Sequence, residues 1–142
     1  MPQPIAQSIT NHDLTSRFQR TSTVAASPAD ATETVIATLN LANFGDVALL
    51  SGVELSGFAA FTIGTSGTAG NLKIRQTNVS GTTVVATGVI NAGVWAATQL
   101  TELYVAGFDA APGVGTYVLT LTVANGAAAS TVSACTLRAI LI

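Results

Sequence analysis

The chain of 142 residues has one cysteine, Cys135, and one histidine, His12. A single cysteine rules out an intrachain disulfide and any zinc site built on cysteines. A Ser-His-Asp arrangement would depend on His12, which stands in TNHDLTS within a stretch of no regular period, poor scaffolding for catalysis. Charge is scarce as well: Asp, Glu, Lys and Arg make up 8% of residues, against about 25% in an average soluble domain. A surface so short of charge has little colloidal protection, which points to a life packed against other chains. The net charge of −2 supplies neither a basic footprint for nucleic acid nor a polybasic face for membranes.

Long hydrophobic runs are missing too, although hydrophobic residues reach 49%. They are largely Ala and Val scattered among Thr, Ser, Asn and Gly, and no run approaches the ~18–20 apolar residues of a membrane-spanning helix. An outer-membrane barrel needs aromatic girdles, for which one Trp and two Tyr are too few. The opening MPQPIAQ has no basic n-region and no apolar h-region, so no secretory signal is expected. Glycines cluster in IGTSGTAGN, but the phosphate-loop spacing and its following helix are absent. The seven carboxylates, Asp13, Asp30, Glu33, Asp46, Glu54, Glu102 and Asp109, are dispersed and show no calcium-loop spacing. No metal, no cofactor and no catalytic residue is expected, and the chain reads as a non-enzyme.

What the sequence does hold, from Glu33 onward, is a series of strand-like runs punctuated by Gly and Asn. ETVIATLNLAN sets Val35, Ala37, Leu39 and Leu41 against Thr34, Ile36, Thr38 and Asn40. DVALLSGVELSGFAAFTIG is long for one strand, and Gly52 and Gly57 inside it predict a bend or bulge. NLKIRQTN turns Leu72 and Ile74 inward and Lys73 and Arg75 outward, and VSGTT after it has turn chemistry. TTVVATGVI, TQLTELYVAGFDA, GTYVLTLTVANG and STVSACTLRAILI follow. In the third of these Tyr117, Leu119, Leu121 and Val123 form a core face. The opposite face, Val118, Thr120, Thr122 and Ala124, is neither charged nor strongly apolar, and something other than bulk water is expected to cover it. Cys135, with apolar and polar neighbours alternating, reads as a small buried strand residue. Trp95, alone in NAGVWAATQ, is expected in the core or an interface. Short strands at regular spacing with Gly-rich turns predict an all-β fold: a single jelly-roll-like antiparallel β-sandwich of about eight strands over residues 31–142.

Residues 1–30 differ, with two early prolines, many Ser, Thr and Gln, and no sustained period. Ile5, Ile9, Leu14 and Phe18 are spaced apolar anchors that a purely solvating tail does not need. The segment is read as an extended N-terminal arm ordered along a neighbouring subunit; a flexible tail is the alternative.

Three pieces, ATETVIATL, LKIRQTNVSGTTV and APGVGTYVLTLTVANGAAASTVSACTLRAILI, give the chain a resemblance to small jelly-roll proteins of bacteriophage virions. The likeness covers roughly residues 31–142, and its motifs are those of a fold. It implies a head decoration, spike or other capsid-surface protein, often a trimer, and the G-x-Y before a closing strand also looks like the tumour necrosis factor-like trimeric jelly rolls. Low charge and sparse aromatics depart from those receptor ligands. The resemblance implies a structural protein made in the host cytoplasm, carried on the virion's capsid surface as a homo-oligomer, a trimer foremost, and bound to the major capsid protein or another virion protein; the charge balance speaks against a nucleic-acid or membrane partner. Two other roles fit the same fold: a receptor- or carbohydrate-binding tip of a fibre, marked by an exposed aromatic and polar patch, and a small shell-forming capsid protein.

Overall fold

The computed structural model describes residues 18–21, 28–41, 52–62, 69–87, 100–111, 115–124 and 130–142. Eight strands lie among them: β1 (Phe18–Thr21), β2 (Thr34–Asn40), β3 (Val53–Thr62), β4 (Ala69–Gln76), β5 (Thr83–Ala86), β6 (Leu100–Asp109), β7 (Thr116–Ala124) and β8 (Thr131–Leu141). β4 pairs with β5, β3 with β6, β2 with β7 and β1 with β8, all antiparallel, as in one long hairpin whose tip is the β4–β5 turn. The hairpin is rolled, because β3 also pairs with β8 and β4 with β7. Sheet A therefore runs β1-β8-β3-β6 and sheet B runs β2-β7-β4-β5. Every step along the chain except β4 to β5 crosses from one sheet to the other, which is jelly-roll topology. The expected all-β sandwich of about eight strands is what forms.

The two inner faces make the core. Leu72 and Ile74 of β4 and Tyr117, Leu119, Leu121 and Val123 of β7 are fully buried, opposed by Val53, Leu55 and Phe61 of β3 and Leu137 of β8. Burying such side chains is the main favourable term, at about 1.5–3 kcal/mol each. Cys135 is buried on β8, as its sequence setting indicates, and its thiol reaches the Ile36 carbonyl at 3.3 Å.

Bulges reset the alternation in β2 and β8. The β2–β7 register slips between Val35 and Ala37, so Ile36 is the extra residue. Ile36 and Ala37 are consecutively buried and Val35 is left exposed, so the simple alternation read from the sequence breaks there. The β3–β8 register slips between Ala60 and Phe61, leaving Ser133 over, and the Ser133 hydroxyl donates to the Ala60 carbonyl at 3.1 Å.

Gly57 does not break β3. The strand runs from Val53 to Thr62, pairing with β6 without a slip. An added Cβ at Gly57 would lie 2.5 Å from Leu119 Cδ1 and 3.0 Å from Val105 Cγ1, so the glycine admits those side chains to the core. Gly81, in the predicted turn between β4 and β5, has a different reason: a Cβ there would collide with the Gln76 carbonyl oxygen.

Candidate interaction face

On the outside of sheet B, Glu33 gathers the basic residues of β4. Arg75 donates from Nε to Glu33 Oε1 at 2.6 Å and from Nη2 to Oε2 at 2.9 Å, a two-point grip, while Lys73 Nζ stands 3.7 Å from Oε2. The Thr120 hydroxyl adds a third bond to Oε1 at 2.6 Å. From its other end Arg75 Nη1 donates to the Gly81 carbonyl at 2.9 Å and to the Thr83 hydroxyl at 2.7 Å. The Arg75 bonds, with Thr120 and Lys73 in support, outweigh burial and lower the Glu33 carboxyl to about 2. The bond to Glu33 raises Arg75 in turn. Thr120 is fully buried and Val118 nearly so. The outer face of β7 is thus covered at Thr120 by the chain's own ion pair. Lys73 and Arg75 do point outward, but β4 is an inner strand of its sheet and they are engaged within the chain.

The outside of sheet A is different in kind. Its register sets three rows across β8, β3 and β6: Ile140, Glu54 and Phe108; Arg138, Ser56 and Ala106; Thr136, Phe58 and Tyr104. Tyr104 is 68% exposed and Phe108 52%, with Leu100 at 56% on the same side of β6. The Phe58 and Tyr104 rings pack at a centroid distance of 4.9 Å, tilted 39°, a favoured aromatic arrangement. A Cβ on Gly52 would collide with the Phe108 ring, so that ring lies over the glycine. Between the aromatic rows the small Ser56 and Ala106 leave a shallow trough of about 640 Å³, lined also by Arg138, whose Nε donates to the Ser56 hydroxyl at 3.1 Å. Five described aromatic side chains divide two to three: Phe61 and Tyr117 fill the core, and Phe58, Tyr104 and Phe108 face outward.

Of the expected arm anchors, Ile5, Ile9 and Leu14 lie outside the described residues. Phe18 opens β1, its Cα opposite Ile140 on the edge of sheet A. His12, Asp13, Asp46 and Trp95 also lie outside them. Among the described residues no group of three His, Cys, Asp or Glu side chains stands close enough together to hold a metal ion. The aromatic face itself was hidden in TELYVAGFDA, where Leu103 and Val105 alternate with Tyr104 and both faces are apolar, so period two does not say which is outside. A strand apolar on both faces in a charge-poor chain was the available signal.

No family model and no curated sequence matches this chain. Solved structures do share its fold. A chain of the T13 particle of infectious bursal disease virus superposes with a TM-score of 0.56 at 10% identity, over 88% of this chain and 31% of that one. The VP2 subviral particle of the same virus gives 0.55 at 11%, over 88% and 33%. Latent PorU of Porphyromonas gingivalis gives 0.55 at 10%, over 87% and 12%. This chain spans about a third of the viral chains' length. At these identities the likeness is one of fold, and that fold is found in chains that build virus particles.

Proposed function

We propose that this chain is a non-enzymatic structural protein of a virion, a decoration protein that trimerises on a phage head and clamps neighbouring capsid subunits through its N-terminal arm. The observation that carries the reading is the outer face of sheet A, where Leu100, Tyr104, Phe108 and Ile140 are exposed on adjoining strands. A face of this kind marks a surface that another protein covers. Attachment then draws on buried apolar area more than on ion pairs, so it weakens little with salt. The contacts made by the arm are Ile5, Ile9, Leu14 and Phe18. Residues 1–17 join the chain at Phe18, on the edge strand of sheet A, and seventeen residues can span at most about 60 Å.

The test is removal of residues 1–17, which leaves β1 in place. Loss of capsid attachment with the melting temperature kept supports the arm; attachment and trimer mass equal to those of the full chain refute it.

A second reading has its own support. The Phe58–Tyr104 ring pair beside Ser56 and Arg138 is the exposed aromatic and polar patch expected of a receptor- or glycan-binding tip. Binding of soluble glycans to the full chain, abolished by Tyr104→Ala, would favour it over decoration.

A further inference from the structure

Among the described residues the four sheet edges are unequally guarded. β1 and β5 are four residues each, β5 also slips once against β4, and β2 carries the bulge at Ile36. Short strands and bulges are common means by which an edge avoids pairing with other chains. β6 has neither. It runs ten residues against β3 with no slip, holds no proline and no lysine, and among the described residues no strand pairs with its other side. Its outward side chains are Leu100, Glu102, Tyr104, Ala106 and Phe108, three of them large, apolar in body and more than half exposed.

That row is self-complementary. If two copies of β6 run antiparallel about a two-fold axis at Tyr104, each Tyr104 faces its mate and each Leu100 faces Phe108 of the second copy. Each Glu102 then faces Ala106. The arrangement gives one aromatic pair and two Leu–Phe pairs, the kind of cross-strand contact that stabilises sheets. Centring the axis on residue 102 would instead oppose two carboxylates, and centring it on 106 would lose the Leu100 pairs. A one-residue slip would turn one copy's core side toward the other's outer side. Gly107, facing inward, sits against Val85 of β5, so the inner side of the strand is already closed within the chain.

We infer that β6 is an edge-to-edge contact between two copies of this chain, joining their A sheets into one eight-stranded sheet. The occupant of the unguarded edge is a second copy because the row matches itself in this register. The contact is isologous and independent of the three-fold association proposed above; where both operate, it links one trimer to the next.

Cysteine placement in the full chain tests it, since Cys135 is buried and a new surface thiol reports alone. Tyr104→Cys should oxidise to a disulfide-linked pair. Glu102→Cys and Ala106→Cys should not link when each is alone but should link when the two are mixed. Failure of Tyr104→Cys to link, or equal linking at all three positions, overturns the contact. As a second measurement, Tyr104→Lys sets two like charges face to face and should raise the dissociation constant of the pair by about tenfold or more, with the melting temperature kept. An unchanged constant overturns the inference. A trimer that persists while Tyr104→Cys stays unlinked removes the β6 contact alone. Linked pairs from a chain that never forms trimers support β6 and remove the three-fold reading alone.

Discussion

The Tyr117 hydroxyl donates to Asp109 Oδ2 at 2.8 Å and so ties the start of β7 in sheet B to the end of β6 in sheet A. Gln76 Nε2 donates to the same oxygen at 2.7 Å, and the Ala111 amide donates to Oδ1 at 2.9 Å. Burial pushes the Asp109 carboxyl up, but the bonds from Ala111, Gln76 and Tyr117 together hold it below the usual aspartate value. Burial first, then Asp109, raises the Tyr117 phenol. Tyr117→Phe should cost about 1–2 kcal/mol by removing one bond to a charged acceptor. Asp109→Ala should cost more, about 2–4 kcal/mol, because it strands the buried Tyr117 hydroxyl and the Gln76 amide together. Urea unfolding of the two variants checks the order; equal midpoints would contradict it.

Acid should loosen the outside of sheet B. Glu33 is held at about 2 against an ordinary 4.5. A carboxyl with a lowered folded-state pKa contributes fully above its unfolded value and loses that contribution as pH falls toward the folded one. The window is therefore from about pH 4.5 down to about 2, and the part lost is about 2 kcal/mol after allowance for solvent contact. Melting temperatures across this range should fall more steeply for the wild type than for Glu33→Gln, which lacks the titration. Parallel curves would contradict the account.

Two glycines should fail in different ways. Gly57→Ala drives a methyl against Leu119, an overpacked core that should cost about 1–3 kcal/mol with the strand pairing kept. Gly81→Ala meets main chain instead, the Gln76 carbonyl oxygen, so the β4–β5 turn must rearrange. Hydrogen exchange should show loss of protection confined to Arg75–Thr83 and its neighbours for Gly81→Ala, and a uniform loss for Gly57→Ala.

The strands around Leu72, Ile74 and Tyr117–Val123 were legible because one face of each is strongly apolar. The phase of β2 was not, because the bulge at Ile36 is set by pairing with β7 and leaves no local mark in TVIATLN. Gly57 read as a break when its cause is a distant side chain, Leu119. Glu33 gathers Arg75 from 42 residues away, a partnership that nothing in either segment announces. The outward ring pair of Phe58 and Tyr104 arises only from the β3–β6 register.

The mass of the purified full chain in solution, by light scattering over a dilution series, tests the central claim most directly. The account predicts a three-chain particle, or a multiple of three where β6 also pairs, that persists on dilution. A monomer at every concentration would contradict it, as would large closed particles, which belong to a shell-forming protein.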